Sequence, residues 1–143
     1  AEAFDITENA LSAASRNAEI NGVSDRIKFT QADALSSDFL EGKAFDAIIS
    51  NPPYIPADVI PTLAPEVLLE PHRALDGGDD GLVFYRAITE KARSALKPGG
   101  FGLYGFGIGQ ADDVARIGEA NGFTSEIYPD LSGIDRAVLL RKI

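Results

Sequence analysis

The sequence predicts an α/β fold on a mostly parallel sheet, closed at its C-terminal end by an antiparallel pair of strands. Three observations carry this. Short apolar runs alternate with helix-periodic segments along most of the chain, the pattern of strand-helix-strand crossovers. The run "AFDAIIS" at 44–50 is mostly apolar and bounded by turn residues, as a buried strand is. The last two strand-like runs, "FTSEIY" and "AVLLRKI", are joined by a loop alone, whereas parallel neighbours need a longer crossover.

Taken in order, "AEAFD" reads as a short strand ending in an acid, and "ITENALSAASRNAEINGV" as the helix after it. Thr7 is placed to cap that helix, Leu11, Ala14 and Ala18 share one face, and Gly22 suits a left-handed stop. "RIKFTQAD" alternates Ile27 and Phe29 with polar neighbours and ends at Asp33, giving a second strand; residues 44–50 give a third. Residues 51–80 hold six of the eight prolines, so they read as a long ordered loop with a helical turn, and loops of that length are usually functional or disordered. Leu82, Tyr85, Ile88, Ala92, Ala95 and Leu96 are helically spaced, with Asp79 or Asp80 as cap and Pro98-Gly99-Gly100 as a hard stop. "FGLYGF" is a glycine-rich strand, and Gln110 to Asn121 a helix ended by Gly122. No internal repeat or low-complexity tract is present.

A chain of 143 residues buries roughly two thirds of the surface it exposes when unfolded, enough for a real core. Its 45% hydrophobic and 24% charged content is ordinary globular usage. No apolar run approaches the ~20 residues that span a bilayer, so a soluble protein is expected. Without cysteine there is no disulfide framework or thiolate metal site, and a single histidine, His72, argues against zinc or iron. The net charge of −9 argues against a nucleic-acid grip based on phosphate neutralisation. "AEAFDITENA" has neither a basic nor an apolar leader region, which makes the cytoplasm the expected location. The lack of an initiator methionine and a start inside a strand suggest that residues 1–143 are a piece of something longer, a partial domain.

In open α/β sheets ligands bind beyond the carboxyl ends of the strands. Asp5, Asp33 and Asn51 stand at those ends. An acid at the place of Asp5 can accept hydrogen bonds from ribose hydroxyls, and a carboxylate at the place of Asp33 can accept one from an adenine amine. Each also has a purely structural reading: Asp5 in a capping box with Glu8, Asp33 capping a turn. Asn51-Pro52-Pro53-Tyr54 is more specific. A proline fixes its own φ and restrains the residue before it, so Asn51 and Pro52 are both held. The prolines remove two backbone donors, leaving the Asn51 side-chain oxygen and the Pro52 carbonyl as acceptors for a planar NH2 group. Tyr54 offers an aromatic face for a flat substrate. The alternative is a Pro-Pro turn with Tyr54 as an edge aromatic. "DGGDDG" lacks the twelve-residue loop and final Glu of an EF-hand and reads as a turn into a capped helix.

These segments resemble the catalytic domain of the PrmC/HemK family, S-adenosylmethionine-dependent methyltransferases of the glutamine amide in the GGQ motif of peptide-chain release factors. The resemblance runs through "DITENAL", "NAEINGV", "QADAL", "FDAIISNPPYIP", "PEVLLEPHRALDGGDDGLVFYRAI", "LKPGGF", "GIGQ" and "DLSGIDRAVLLRK". The N-P-P-Y box is shared with amino-directed DNA and RNA methyltransferases, whereas the segments at Glu70 to Gly78 and Asp130 to Arg136 are much narrower. The resemblance implies a Rossmann-like methyltransferase fold with S-adenosylmethionine as cofactor and a release factor as protein partner. It gives Asn51 and Pro52 the catalytic part, holding the substrate amide, with Pro53 and Tyr54 shaping the pocket. Asp5 would bind the cofactor ribose and Asp33 with Ala34 the adenine, Asn51 also lying at the cofactor. Glu70, Pro71 and Arg73 are expected to brace the pocket, and Asp135 with Arg136 to pair locally.

Two departures stand out. Gly105 occupies a place where the family usually carries an acid. The family's first strand and its G-x-G-x-G loop are missing from these residues, and the glycines of "GFGIGQ" follow the wrong strand to replace it. By the resemblance, that strand lies between the strands at Ala3 and Ala47, and strands spaced about 4.8 Å apart would leave a gap of roughly 10 Å with unpaired edges. The chain alone is therefore expected to be inactive or nearly so. Two alternatives remain open: an amino-directed methyltransferase of nucleic acid or a ribosomal protein, and a non-enzymatic remnant.

Overall fold

A computed structural model describes all 143 residues, which form two compact units, residues 1–39 and 40–143. The first unit is one strand-helix-strand crossover: β1 (Glu2–Asp5), α1 (Glu8–Ile20) and β2 (Lys28–Gln31). The two strands run parallel, in register from Glu2 opposite Lys28 to Asp5 opposite Gln31. Helix α1 starts where Thr7 accepts the Ala10 amide at 3.3 Å, so one of the orphan donors of the first turn is satisfied. Asp5 holds that cap from behind, its Oδ1 accepting both the Thr7 amide and the Thr7 hydroxyl at 2.8 Å. This is the capping use of Asp5, made with Thr7 and not through a box with Glu8. The helix stops before Gly22, which has φ +64°, a conformation that disfavours a side chain. Phe4 meets Phe39 edge to face, ring centroids 5.4 Å apart.

The second unit carries a four-stranded sheet in the order β3-β4-β6-β5, with β3 (Phe45–Ser50), β4 (Leu96–Gly105), β5 (Phe123–Pro129) and β6 (Asp135–Lys142). β3 and β4 are parallel, while β6 is antiparallel to both β4 and β5. The closing pair thus has the predicted sense, and β6 is inserted between β4 and β5. Helices α3 (Val83–Ala95) and α4 (Ala111–Ala120) cover the sheet. Their apolar faces contribute to the core: Tyr85, Ile88 and Ala92 of α3 and Val114 of α4 are buried, as are Tyr104, Phe106, Val138 and Leu140. α4 lies so close to β6 that a Cβ on Gly118 would come within 2.4 Å of the Leu140 side chain. The proline-rich residues 51–80 contain two single turns, Ile60–Thr62 and Val67–Leu69, and the short helix α2 (His72–Leu75).

Three readings change. Pro98-Gly99-Gly100 does not separate α3 from the next strand. β4 begins at Leu96, and the segment forms a bulge, the register passing from Phe45 opposite Leu96 directly to Ala47 opposite Phe101. Helix α3 has already ended at Ala95, and Gly99 with φ +75° supplies the kink. Arg136 pairs with Asp130, at 3.6 Å, across the turn that precedes β6, and not with Asp135. Finally, the apolar run of β3 is not buried throughout. β3 is an edge strand with a partner on one side only, and Ile49 is 74% exposed.

Candidate active site

In the first unit, parallel pairing of β1 and β2 brings their carboxyl ends side by side. Asp5 closes β1 and Asp33 follows β2 by two residues. Asp5 is half-buried with Oδ1 spent on Thr7. Asp33 is exposed, its Oδ1 accepting the Leu35 amide at 2.8 Å in a tight turn that also contains Ala34. Each turn bond engages one oxygen of its carboxylate, so acceptor capacity remains at both. Two carboxylates at one end of a parallel pair suit hydroxyl and amine donors, such as a ribose diol and an exocyclic amine. As acceptors the two carboxylates are of the kind the nucleoside part of S-adenosylmethionine would need.

In the second unit the last paired residue of β3 is Ser50, opposite Tyr104. Asn51 then emerges exposed and Pro52 turns inward. Neither the Asn51 carboxamide nor the Pro52 carbonyl makes a hydrogen bond within the chain. The Asn51 oxygen lies over the backbone of β4, so that a Cβ on Gly105 would fall 2.7 Å from it. With glycine at 105, the Asn51 carboxamide occupies the space that a side chain there would take. Below, the Tyr85 hydroxyl donates to the Gly105 carbonyl at 2.8 Å. Burial, with Tyr54 nearby, pushes the Tyr85 phenol above its ordinary range, which keeps it a donor.

The rest of the corner is tied to the loop that follows. The Ile55 amide donates to the Leu75 carbonyl at 3.0 Å, and the Gly77 amide donates back to the Ile55 carbonyl at 2.9 Å. The carboxylates of "DGGDDG" serve the turn: Asp76 accepts the Gly78 amide and Asp80 the Leu82 amide, at 2.9 and 3.0 Å. Asp80 also pairs with Arg86, which holds its carboxyl below the usual range. Its place is two residues before the helix cap itself, Leu82. Glu70, Pro71 and Arg73 do not brace the corner: all three are exposed, and the Glu70 and Arg73 side chains make no hydrogen bond or ion pair. What touches Tyr54 comes from Gly77, Gly81, Gly107 and Gln110. The sequence signal for these was a cluster of glycines without a cofactor to serve.

No helix is long and apolar enough to cross a membrane. The backbone is similar over 99% of its length to a methyltransferase from Pyrococcus furiosus, at TM-score 0.71 and 17% identity, covering 61% of that chain. Strand order, helix placement and this likeness define a Rossmann-like α/β fold, the fold of that methyltransferase. The RMKL-like methyltransferase domain family matches residues 1–57. Release factor glutamine methyltransferases from Clostridium acetobutylicum and Cereibacter sphaeroides are 42% and 43% identical to the chain, over 94% and 97% of it. The chain is thus similar to these relatives over nearly all of its own length, and it spans about half of theirs, 48% and 50%.

Proposed function

We propose that these residues are part of one catalytic domain that methylates the side-chain amide nitrogen of a glutamine in a peptide-chain release factor. The observation that supports it most directly is a pair of oxygen acceptors, Asn51 Oδ1 and the Pro52 carbonyl, left without internal partners on a corner that prolines stiffen. The printed names of the relatives supply the substrate class.

A carboxamide nitrogen is a poor nucleophile because its lone pair is delocalised into the carbonyl. Geometry has to compensate. Asn51 and Pro52 would accept both N–H bonds of the substrate amide, favour a partly pyramidal nitrogen and aim its lone pair. Pro53 and Tyr54 would present a flat apolar wall to the amide plane. Such orientation can lower a barrier by roughly 7–11 kcal/mol at most. The nitrogen gains a methyl group and gives up one proton to solvent. S-adenosylmethionine, when bound, supplies an electrophilic methyl on a sulfonium. Asp5 would accept its ribose hydroxyls, Asp33 and the Ala34 backbone would hold the adenine, and Asn51 would border the donor. A cytoplasmic location accompanies such a partner.

The 143 residues alone are expected to be weakly active or inactive. Their G-x-G-x-G run, Gly105 to Gly109, follows β4 and not a first strand, and the exposed edge of β3 has no strand beside it. Calorimetry tests that part: micromolar binding of S-adenosylmethionine by this polypeptide alone overturns it. The substrate is tested by label transfer from S-adenosylmethionine, using full-length protein with release factor, ribosomal protein and nucleic acid as competing acceptors. Labelling of the release-factor glutamine is expected. Label in nucleic acid or a ribosomal protein, or in no acceptor, refutes the assignment.

A further inference from the structure

The N-P-P-Y corner cannot fix itself. Pro52, Pro53 and Pro56 have no amide hydrogen, so residues 52–56 carry only two backbone donors, and the Tyr54 carbonyl needs a donor from elsewhere. It finds one 56 residues away: Gln110 Nε2 donates to the Tyr54 carbonyl at 2.9 Å. The same nitrogen reaches the Gly81 carbonyl at 3.4 Å, and Gln110 Oε1 accepts the Gly107 amide at 2.9 Å. The orientation of this carboxamide is dictated by its neighbours. An amide hydrogen on Gly107 must face an oxygen, and two carbonyls must face the NH2 group.

Three glycines make the contact possible. A Cβ on Gly77 would lie 2.8 Å from Tyr54 Cα, one on Gly81 2.4 Å from the Tyr54 oxygen, and one on Gly107 2.8 Å from the Tyr54 ring. Each distance is shorter than real Cβ contacts allow, and two of the three involve backbone that cannot swing aside. The turn after β4, the turn before α3 and the corner after β3 therefore close on Tyr54, with one carboxamide bonded to all three.

We infer that Gln110 is a positioning residue for methyl transfer, its carboxamide clamping the Tyr54 carbonyl so that Asn51 and Pro52 keep their acceptors aimed. The kinetic half of this role rests on the glutamine-amide reading of the site. The structural half does not.

Two variants separate the halves. Gln110→Ala removes every bond of the clamp. Gln110→Glu keeps an acceptor for the Gly107 amide but sets a bare oxygen against the Tyr54 and Gly81 carbonyls, and regains a donor only when protonated. Amide exchange on the full chain is read first. Ile55 and Gly77 amides are expected to exchange about tenfold faster in both variants, and the Gly107 amide faster in Gln110→Ala alone. Turnover is then read with release factor and full-length protein. A fall in kcat of about tenfold to a hundredfold is expected, with the KM for S-adenosylmethionine unchanged. The activity of Gln110→Glu relative to wild type should recover as pH drops from about 8 to about 6, because burial between carbonyls favours the protonated acid; Gln110→Ala should show no recovery. Wild-type exchange at Ile55 and Gly77 in both variants overturns the clamp. Faster exchange with undiminished kcat overturns the positioning role. If wild-type protein transfers no label to release factor, the glutamine reading fails, and exchange alone decides whether the clamp holds the corner.

Discussion

Gly81 and Gly122 both have left-handed backbone, with φ +74° and +83°, but very different surroundings. Around Gly122 nothing lies within 4 Å of an added Cβ. Gly122→Ala should therefore lose only the conformational term, about 1–2 kcal/mol. At Gly81 the same term is joined by a collision, because the Cβ would stand 2.4 Å from the Tyr54 oxygen, 0.6 Å inside the 3.0 Å limit that real Cβ atoms respect, and 2.7 Å from Gln110 Nε2. Relief means pushing a backbone carbonyl away from its donor. That forfeits a hydrogen bond and leaves a half-buried acceptor unsatisfied, roughly 1–3 kcal/mol more. Gly81→Ala should thus cost about 2–5 kcal/mol in all. Urea unfolding of the two variants and wild type measures both losses, with unchanged m-values confirming that only stability moved. Equal losses, within roughly 0.5 kcal/mol, would refute the claim that close approach, and not φ alone, requires glycine at position 81.

Three further outcomes follow from the site and the core. Asn51→Ala should leave S-adenosylmethionine affinity nearly intact and cut turnover of the full-length protein by about a hundredfold or more; steady-state kinetics with a parallel binding titration checks both. The Tyr104 and Thr89 hydroxyls are buried without a partner in hydrogen-bond geometry. Burial pushes the Tyr104 phenol up to about 12, and the Thr89 hydroxyl offsets this only in part. Tyr104→Phe should accordingly be neutral or stabilise by up to about 1 kcal/mol, and a loss greater than that would show a hidden partner. Asp80, held below its ordinary value of 3.8 chiefly by the hydrogen bond from Arg86, releases its proton more readily folded than unfolded. Its contribution is complete above the ordinary carboxylate value and is lost as pH falls through the lowered one. Both partners are about half exposed, so Asp80→Asn, which still accepts the Leu82 amide, should cost at most about 1 kcal/mol near neutrality. Denaturation at stepped pH should show that difference vanish in acid. A difference that persists there would rule out the ion pair as its source.

Much of the architecture was legible because its signals are local. The Thr7 cap, the Gly22 stop, the spacing from Tyr85 to Ala95 and the apolar run before Asn51 depend on propensities and periodicities within a few residues. The stiffness of Asn51-Pro52 is of the same kind, since proline constrains itself and its predecessor whatever surrounds them. Arg136 was misassigned because both carboxylates near it are plausible in sequence, and only the turn geometry selects Asp130. Glu70 and Arg73 drew attention as charges beside the corner, yet proximity along a loop does not aim a side chain.

By itself, then, the sequence determined the order and type of the elements, the rigid acceptor corner and the likeness to release factor glutamine methyltransferases. Tertiary structure alone decided that β6 lies between β4 and β5, that Ile49 sits on an open edge, and that Gln110 reaches Tyr54 across 56 positions. The physical reason is range. Backbone conformation responds to neighbours in the chain, whereas a hydrogen-bond partner or a glycine's close contact is settled only when distant segments have closed on one another.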